Sequence, residues 1–284
     1  STESIRTHCE GGEPMHYRWP ASQIPKSRKW ASGVVPVGPE VRYQLTPELV
    51  ERYWDQDSVG ALVASPANPT GTLLSRDELA GLSRALRERG GHLVVDEIYH
   101  GLTYGVDAAS VLEVDGDAFV LNSFSKYFGM TGWRLGWLVA PEAAVPELEK
   151  LAQNLYISAS TIAQHAALAC FEPATLAILE ERRHEFQRRR DFLLPALREL
   201  GFGIAVEPEG AFYCFPSFEG VLGRTLAGRE ILTTLDLAEV LLDEAKVAIV
   251  PGEAFGAPGY ARLSFALSDD ELEEGVSRIA RFLS

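Results

Sequence analysis

Apolar and polar positions follow two different rhythms along this chain. Ala61-Leu62-Val63-Ala64 is an unbroken apolar run closed by Pro66, Asn68, Pro69 and Gly71, the pattern of a buried strand ended by a turn. Ser75-Arg76-Asp77-Glu78 has the residues of a capping box. Leu79, Leu82 and Leu86 then recur at helical spacing until Gly90-Gly91, so a helix is predicted there. Further strands are predicted at 92–95, 118–121 and 135–139, with Pro141 opening the next helix. Strand, turn, helix and strand at this rhythm predict parallel pairing with right-handed crossovers. Ligands of such sheets sit beyond the carboxyl ends of the strands.

From residue 159 onward helical periodicity dominates. A long amphipathic stretch, about 174–200, carries Leu179, Phe186, Leu193 and Leu197, and its basic Arg188-Arg189-Arg190 reads as a solvated helix face. Beyond Gly201, strand-like pieces at 203–206, 211–215, 247–250 and 262–266 alternate with helices near 235–244 and 269–283. The expected architecture is α/β: a mainly parallel sheet flanked by helices over 34–165, then a smaller α+β domain over 166–284 that includes the long linking helix. Residues 1–33 show neither periodicity and read as an aberrant or disordered leader.

Composition narrows the partners. The 284 residues are 46% hydrophobic and 23% charged, enough for a sizeable core. Forty acidic against 26 basic residues leave a net charge of −14, which argues against nucleic acid or an anionic membrane as the main partner. A small anionic ligand needs only a locally positive pocket. Residues 1–33 hold five basic and three acidic residues, so the remainder, with 21 and 37, is more acidic than the whole. Cys9, Cys170 and Cys214 are scattered, with neither disulfide nor metal spacing. No run approaches a membrane span and no signal peptide is visible, so a soluble, cytoplasmic protein is expected.

Four stretches carry candidate chemistry. Lys126 lies among small hydroxyls, aromatics and glycines just past a predicted strand; partly desolvated, such an amine attacks carbonyls to form a Schiff base. Ser123 and Arg134 on either side suit a phosphate, the arginine through its fork of donors. Asp96, at the end of an apolar strand, suits a cationic ring nitrogen, and Tyr99, three residues on, a ring oxygen. Asn68 sits between two prolines in a rigid turn that can mount its amide toward a ligand. Arg262 alternates with apolar residues and suits a bidentate carboxylate. Each stretch alone also has a plain structural reading. These are a surface-turn lysine, an aspartate capping a helix beside a rim tyrosine, a rigid turn and a snorkelling edge arginine.

Together they resemble the class I/II aminotransferases, fold-type I enzymes dependent on pyridoxal phosphate. The shared motifs are A-S-P-A-N-P-T-G at 64–71, D-E-I-Y at 96–99, S-F-S-K-Y-F-G-M-T-G-W-R-L-G at 123–136 and Y-A-R-L-S-F at 260–265, in family order. The resemblance covers the chain from about Val34 to its end. It implies that Lys126 forms the Schiff base with pyridoxal 5′-phosphate and shuttles a proton, while Asp96 keeps the ring nitrogen protonated. It further implies that Tyr99 and Asn68 hydrogen-bond the ring's phenolic oxygen, Ser123 and Arg134 hold the phosphate, and Arg262 holds the substrate carboxylate. An amino acid and a 2-oxo acid as substrates, and a homodimer, are implied too. Trp133 and Tyr127 are expected to pack, and His100 has no role to carry over.

In this family the chain before A-S-P-x-N-P-T-G supplies a glycine-rich phosphate turn, a ring-stacking aromatic and dimer elements. Only 33 residues precede the first family-like stretch here, with Gly11-Gly12 as their one glycine pair. The expectation is a chain lacking its N-terminal portion: either 1–33 is an out-of-frame or otherwise aberrant stretch, or the chain is truncated and its missing portion is lost or encoded separately. Three functions stay open on the motifs: an aminotransferase, a C–S lyase on the same fold, and a non-catalytic remnant.

Overall fold

A computed structural model describes residues 33–284, so the expected aberrant or disordered leader lies, but for Gly33, outside the described residues. Strands β1 (Gly60–Ala64), β2 (His92–Asp96), β3 (Phe119–Ser123) and β4 (Gly136–Val139) form one sheet in that order. β1–β2 and β2–β3 are parallel, with Leu62 beside Val94 and Val95 beside Val120. The β3–β4 pair is antiparallel, with Ser123 opposite Gly136, so the sheet is mixed and mainly parallel, as expected. A parallel return needs a crossover along the whole sheet. Residues 124–135 instead fold back on themselves, Met130 N donating to Phe124 O and Trp133 N to Met130 O. Their length is used in turns at one end of the sheet, and the chain re-enters where it left.

Helix α1 (Pro47–Tyr53) precedes the sheet and α2 (Arg76–Arg87) follows β1. α2 starts with the predicted capping box: Glu78 N donates to Ser75 Oγ at 3.3 Å and Ser75 N to the Glu78 carboxylate at 2.7 Å. Its Leu79, Leu82 and Leu86 are fully buried against the sheet face formed by Val63, Leu93, Val95 and Val120. Truncating Leu79 to alanine is expected to cost about 3 kcal/mol, the lost transfer energy plus a cavity. Urea unfolding at constant m-value checks it; a loss below about 1 kcal/mol contradicts this packing. Strand periodicity sends the alternate residues Leu62, Leu121 and Leu138 to the opposite face, where Leu62 is 69% exposed.

α3 (Val145–Leu155), α4 (Thr161–Leu168) and the 27-residue α5 (Pro173–Glu199) follow, α5 matching the predicted amphipathic stretch. The second sheet runs in the order β5 (Tyr213–Cys214), β9 (Ala261–Ser264), β8 (Val250–Pro251), all antiparallel. Between β5 and β8 lie a hairpin of β6 (Thr225–Leu226) and β7 (Arg229–Glu230), then α6 (Thr234–Val240) with a π-helical turn at Leu241–Ala245. α7 (Asp269–Leu283) closes the chain on a second capping box, Ser268 with Glu271. The strand predicted at 203–206 reduces to one bridge between Gly203 and Ser217. Ile204 packs against the core instead, beside Phe202, which lies on Phe218 at 4.2 Å between ring centres.

A core of Leu193, Leu197, Phe218, Leu237, Phe265 and neighbours underlies the second sheet. Tyr104, from the first half of the chain, belongs to this core, and Tyr99 and Leu102 cluster with Ala211 and Tyr213. Those contacts bring β5 to the carboxyl end of β2. Among the described residues, no single helix is long and apolar enough to cross a membrane.

Candidate active site

The carboxyl ends of three neighbouring parallel strands deliver the polar groups. β1 runs into the loop 65–71, β2 ends on Asp96, and β3 ends on Ser123. The motif residues therefore meet because parallel strands point their ends the same way.

Asp96 is half-buried, and its Oδ1 accepts from Ile98 N at 3.0 Å. Burial pushes its carboxyl above the ordinary carboxylate range, opposed by that backbone bond and by the charge of Lys126. Tyr99 is buried, its ring edge-to-face with Phe212 at 5.5 Å and Tyr213 at 5.9 Å. Its hydroxyl lies 3.2 Å from that of Tyr213, and burial drives its pKa upward. Lys126 Nζ stands 5.5 Å from the Tyr99 ring centre and 5.7 Å from that of Phe212. The amine is thus held over two aromatic faces, within electrostatic reach of Asp96.

The loop carrying Lys126 is fixed from within. Gly129 N donates to Lys126 O at 3.0 Å, and Thr131 Oγ1 to Ser125 O at 2.6 Å. Gly129 has φ +69°, the left-handed conformation that a residue without Cβ adopts freely. Phe124, Met130 and Leu135 anchor the loop in an apolar cluster with Ala163, Ala167 and Cys170. Ser123 Oγ lies 2.9 Å from Ser125 Oγ and 3.0 Å from Leu135 O. Arg134 is exposed, donates to Thr131 O at 3.1 Å, and forms no ion pair among the described residues. The structure thus brings Lys126, Asp96 and Tyr99 into one cluster, with Ser123 beside it, and leaves Arg134 at its rim without a contact to the others.

Asn68 and Arg262 form the other side. Both X-Pro bonds of the turn, Ser65-Pro66 and Asn68-Pro69, are cis. At Gly71, φ is +70° and a Cβ would lie 2.5 Å from Pro208 and 2.6 Å from Gly210 O, so only glycine lets the two segments meet. Gly71 O accepts from both Glu209 N and Gly210 N, which ties the Asn68 turn to the strand leading to Tyr213. Arg262 NH1 donates to Asn68 Oδ1 at 2.9 Å across 194 residues of sequence. The guanidinium carbon lies 4.4 Å from the Tyr213 ring centre and 5.4 Å from that of Phe255. Arg262 is therefore packed against aromatic rings, and its buried Nε has no partner among the described residues. A donor left free in such a place is suited to an arriving anion.

Phe212, Tyr213 and Phe255 line the site without having been singled out in the sequence. The one available signal was strand alternation over Ala211–Phe215, which sets Tyr213 on one face without saying what lies opposite. Tyr127 packs as expected, its hydroxyl donating to Glu180 at 2.6 Å. His100 is half-buried with Nδ1 3.4 Å from Glu97, and burial lowers its pKa.

Comparison with known proteins adds an independent finding. The family described as aminotransferase class I and II matches residues 24–279, starting inside the stretch 1–33. An aspartate aminotransferase of Streptomyces avermitilis is 39% identical over 92% of this chain and 65% of its own length. A probable aspartate/prephenate aminotransferase of Aquifex aeolicus is 37% identical over 91% of this chain and 66% of its own. A crystal structure of an aminotransferase from Mycobacterium tuberculosis superposes with a TM-score of 0.80 at 34% identity, covering 88% of this chain and 63% of that one. The chain thus spans about two thirds of the length of the relatives it matches.

Proposed function

The chain belongs to the class I and II aminotransferases, and from that membership we propose that it uses pyridoxal 5′-phosphate to exchange an amino group between an L-amino acid and a 2-oxo acid. The observation that carries the reading is the juxtaposition at the strand ends. An amine over two aromatic faces lies within electrostatic reach of a half-buried carboxylate, with an arginine whose Nε is unpartnered among the described residues on the far side.

The residues fit the cofactor. Asp96 has one backbone donor and a desolvated carboxyl, so a cationic ring nitrogen relieves the cost of its burial. When bound, pyridoxal phosphate supplies a carbonyl that amines capture and a ring that withdraws electrons from the carbon bearing the amino group. Lys126 Nζ would hold that carbonyl, and its amine would accept and return the substrate's proton. Asp96 would hold its carboxylate charge against the ring nitrogen. Tyr99 and Asn68 would donate to the ring's phenolic oxygen, and Arg262 would take the substrate carboxylate through its fork. Ser123 would offer a hydroxyl to the phosphate, and Arg134, at the rim, its fork of donors.

We extend the reading to a cytoplasmic homodimer. Exposed apolar side chains on and beside α3 and α4, among them Leu155, Ile157 and Ile162 at 61–81%, support an assembly that covers them. The relatives' names make aspartate the first amino donor to try.

The test adds pyridoxal phosphate to the purified chain and follows isotopically labelled amino nitrogen from aspartate to 2-oxoglutarate. The expected result is a new visible absorption band together with labelled glutamate. Release of pyruvate and ammonia from a sulfur-bearing amino acid, without nitrogen exchange, moves the assignment to a C–S lyase. A folded chain that shows no band overturns both.

A further inference from the structure

One side chain touches both sides of the site. Tyr213, 8% exposed on β5, has its hydroxyl 3.2 Å from that of Tyr99 and its ring 4.4 Å beneath the Arg262 guanidinium. We propose that Tyr213 is a positioning residue that joins the two, its hydroxyl ordering Tyr99 toward the cofactor and its ring seating Arg262 for the substrate carboxylate. The inference rests on the transferase reading and deepens it.

The placement follows from the second sheet. β5 and β9 pair with Tyr213 opposite Ser264 and Cys214 opposite Leu263. Arg262 is two residues along β9 from Ser264, so it shares a face with Tyr213 and sits diagonal to it. That spacing lies within reach of an aromatic and a long side chain. Phe255 is the second ring near the guanidinium, at 5.4 Å, and Nη1 is tied to Asn68. The fork is therefore held by the nearer Tyr213 ring, by Phe255 and by the Asn68 amide oxygen.

The hydroxyl pair has its own logic. A phenol has one proton to donate and lone pairs to accept. With no acceptor in front of Tyr99, its proton goes to Tyr213. An acceptor arriving in front of Tyr99 reverses the pair: Tyr213 donates to Tyr99, and Tyr99 donates to the acceptor. Both protons are then used. In a chain of this kind each bond polarises the next and strengthens it by roughly 10–30%. Edge-to-face packing of Tyr99 on Phe212 and Tyr213 keeps its ring from swinging away. The charged groups facing Tyr99 are Lys126 over its ring and Asp96 and Arg262 nearby. Among the described residues, it is Tyr213 that hydrogen-bonds the Tyr99 hydroxyl.

Two substitutions separate the roles. Tyr213→Phe keeps the ring and removes the hydroxyl; Tyr213→Leu removes both. In protein loaded with pyridoxal phosphate, Tyr213→Phe weakens the bond that Tyr99 gives to the ring oxygen, so the lysine-bound nitrogen holds its proton more tightly. The pH midpoint of the visible band then rises by about half a pH unit. Succinate, as a carboxylate probe, binds Tyr213→Phe as it binds the parent chain and binds Tyr213→Leu about tenfold more weakly. In the cofactor-free protein, the Cζ resonance of isotopically labelled Tyr99, assigned with Tyr99→Phe, shifts in Tyr213→Phe. An unmoved midpoint with an unmoved Tyr99 resonance overturns the proposal, as does equal succinate binding by both variants. Absence of the band in the parent chain instead counts against the transferase reading. The resonance and the succinate titration then still decide whether Tyr213 joins the two sides.

Discussion

Lys126→Ala is expected to abolish the cofactor-dependent absorption band and to lower amino exchange by at least about 10⁴-fold, the scale of a lost acid–base group compounded by loss of the covalent attachment. The loop should survive the change. Its turns are closed by backbone bonds and by Thr131 Oγ1, not by the lysine side chain, and its apolar anchors Phe124, Met130 and Leu135 are untouched. The variant should therefore unfold within about 1 kcal/mol of the parent, and added methylamine should restore part of the exchange by supplying the missing base. Unreduced exchange by a folded Lys126→Ala protein rules out the lysine's assignment.

Asp96→Asn should move activity and stability in opposite directions. Without the carboxylate the ring nitrogen loses its ionic partner, and exchange should fall on the order of 10³-fold, chiefly in kcat, as for loss of a charge that acts in the transition state. The cofactor-free protein responds the other way. Burial raises the folded-state pKa of Asp96 above its ordinary 3.8, so its stability contribution is full below that value and is lost as the pH climbs through the raised one. Above the raised pKa the cofactor-free chain carries the cost of an ionised, half-buried carboxylate. Asparagine still accepts from Ile98 N and carries no charge. The variant should melt higher than the parent at pH 7, and the gap should close in acid. Melting curves across pH on cofactor-free samples check the sign. A lower melting temperature for Asp96→Asn at pH 7 contradicts the desolvation argument.

The sheet was readable where its signal was local. β1, β2 and β3 are short apolar runs ended by turn residues, and α2 announces itself through Ser75, Glu78 and the Leu79, Leu82, Leu86 stripe. The direction of β4 was not readable, because an apolar run carries no information about which way it lies beside its neighbour. Only the folded loop 124–135, returning at the end of the sheet where it left, sets that direction. At 203–206 the same limit applies: apolar residues that pack into a core look like a strand when no partner is in view.

The site divides along the same line. The sequence alone determined the chemical inventory: an amine, a carboxylate, a phenol and an amide at strand ends, and an arginine far along the chain. Residue types and short spacings suffice for that. Tertiary structure decided which of them meet. It set Arg262 against Asn68 across 194 residues, placed Lys126 over Tyr99 and Phe212, left Arg134 at the rim, and revealed Tyr213 between the two sides. The physical reason is that a side chain's partners are set by strand register and by packing between segments distant in the chain. Neither is written in the residues nearest to it.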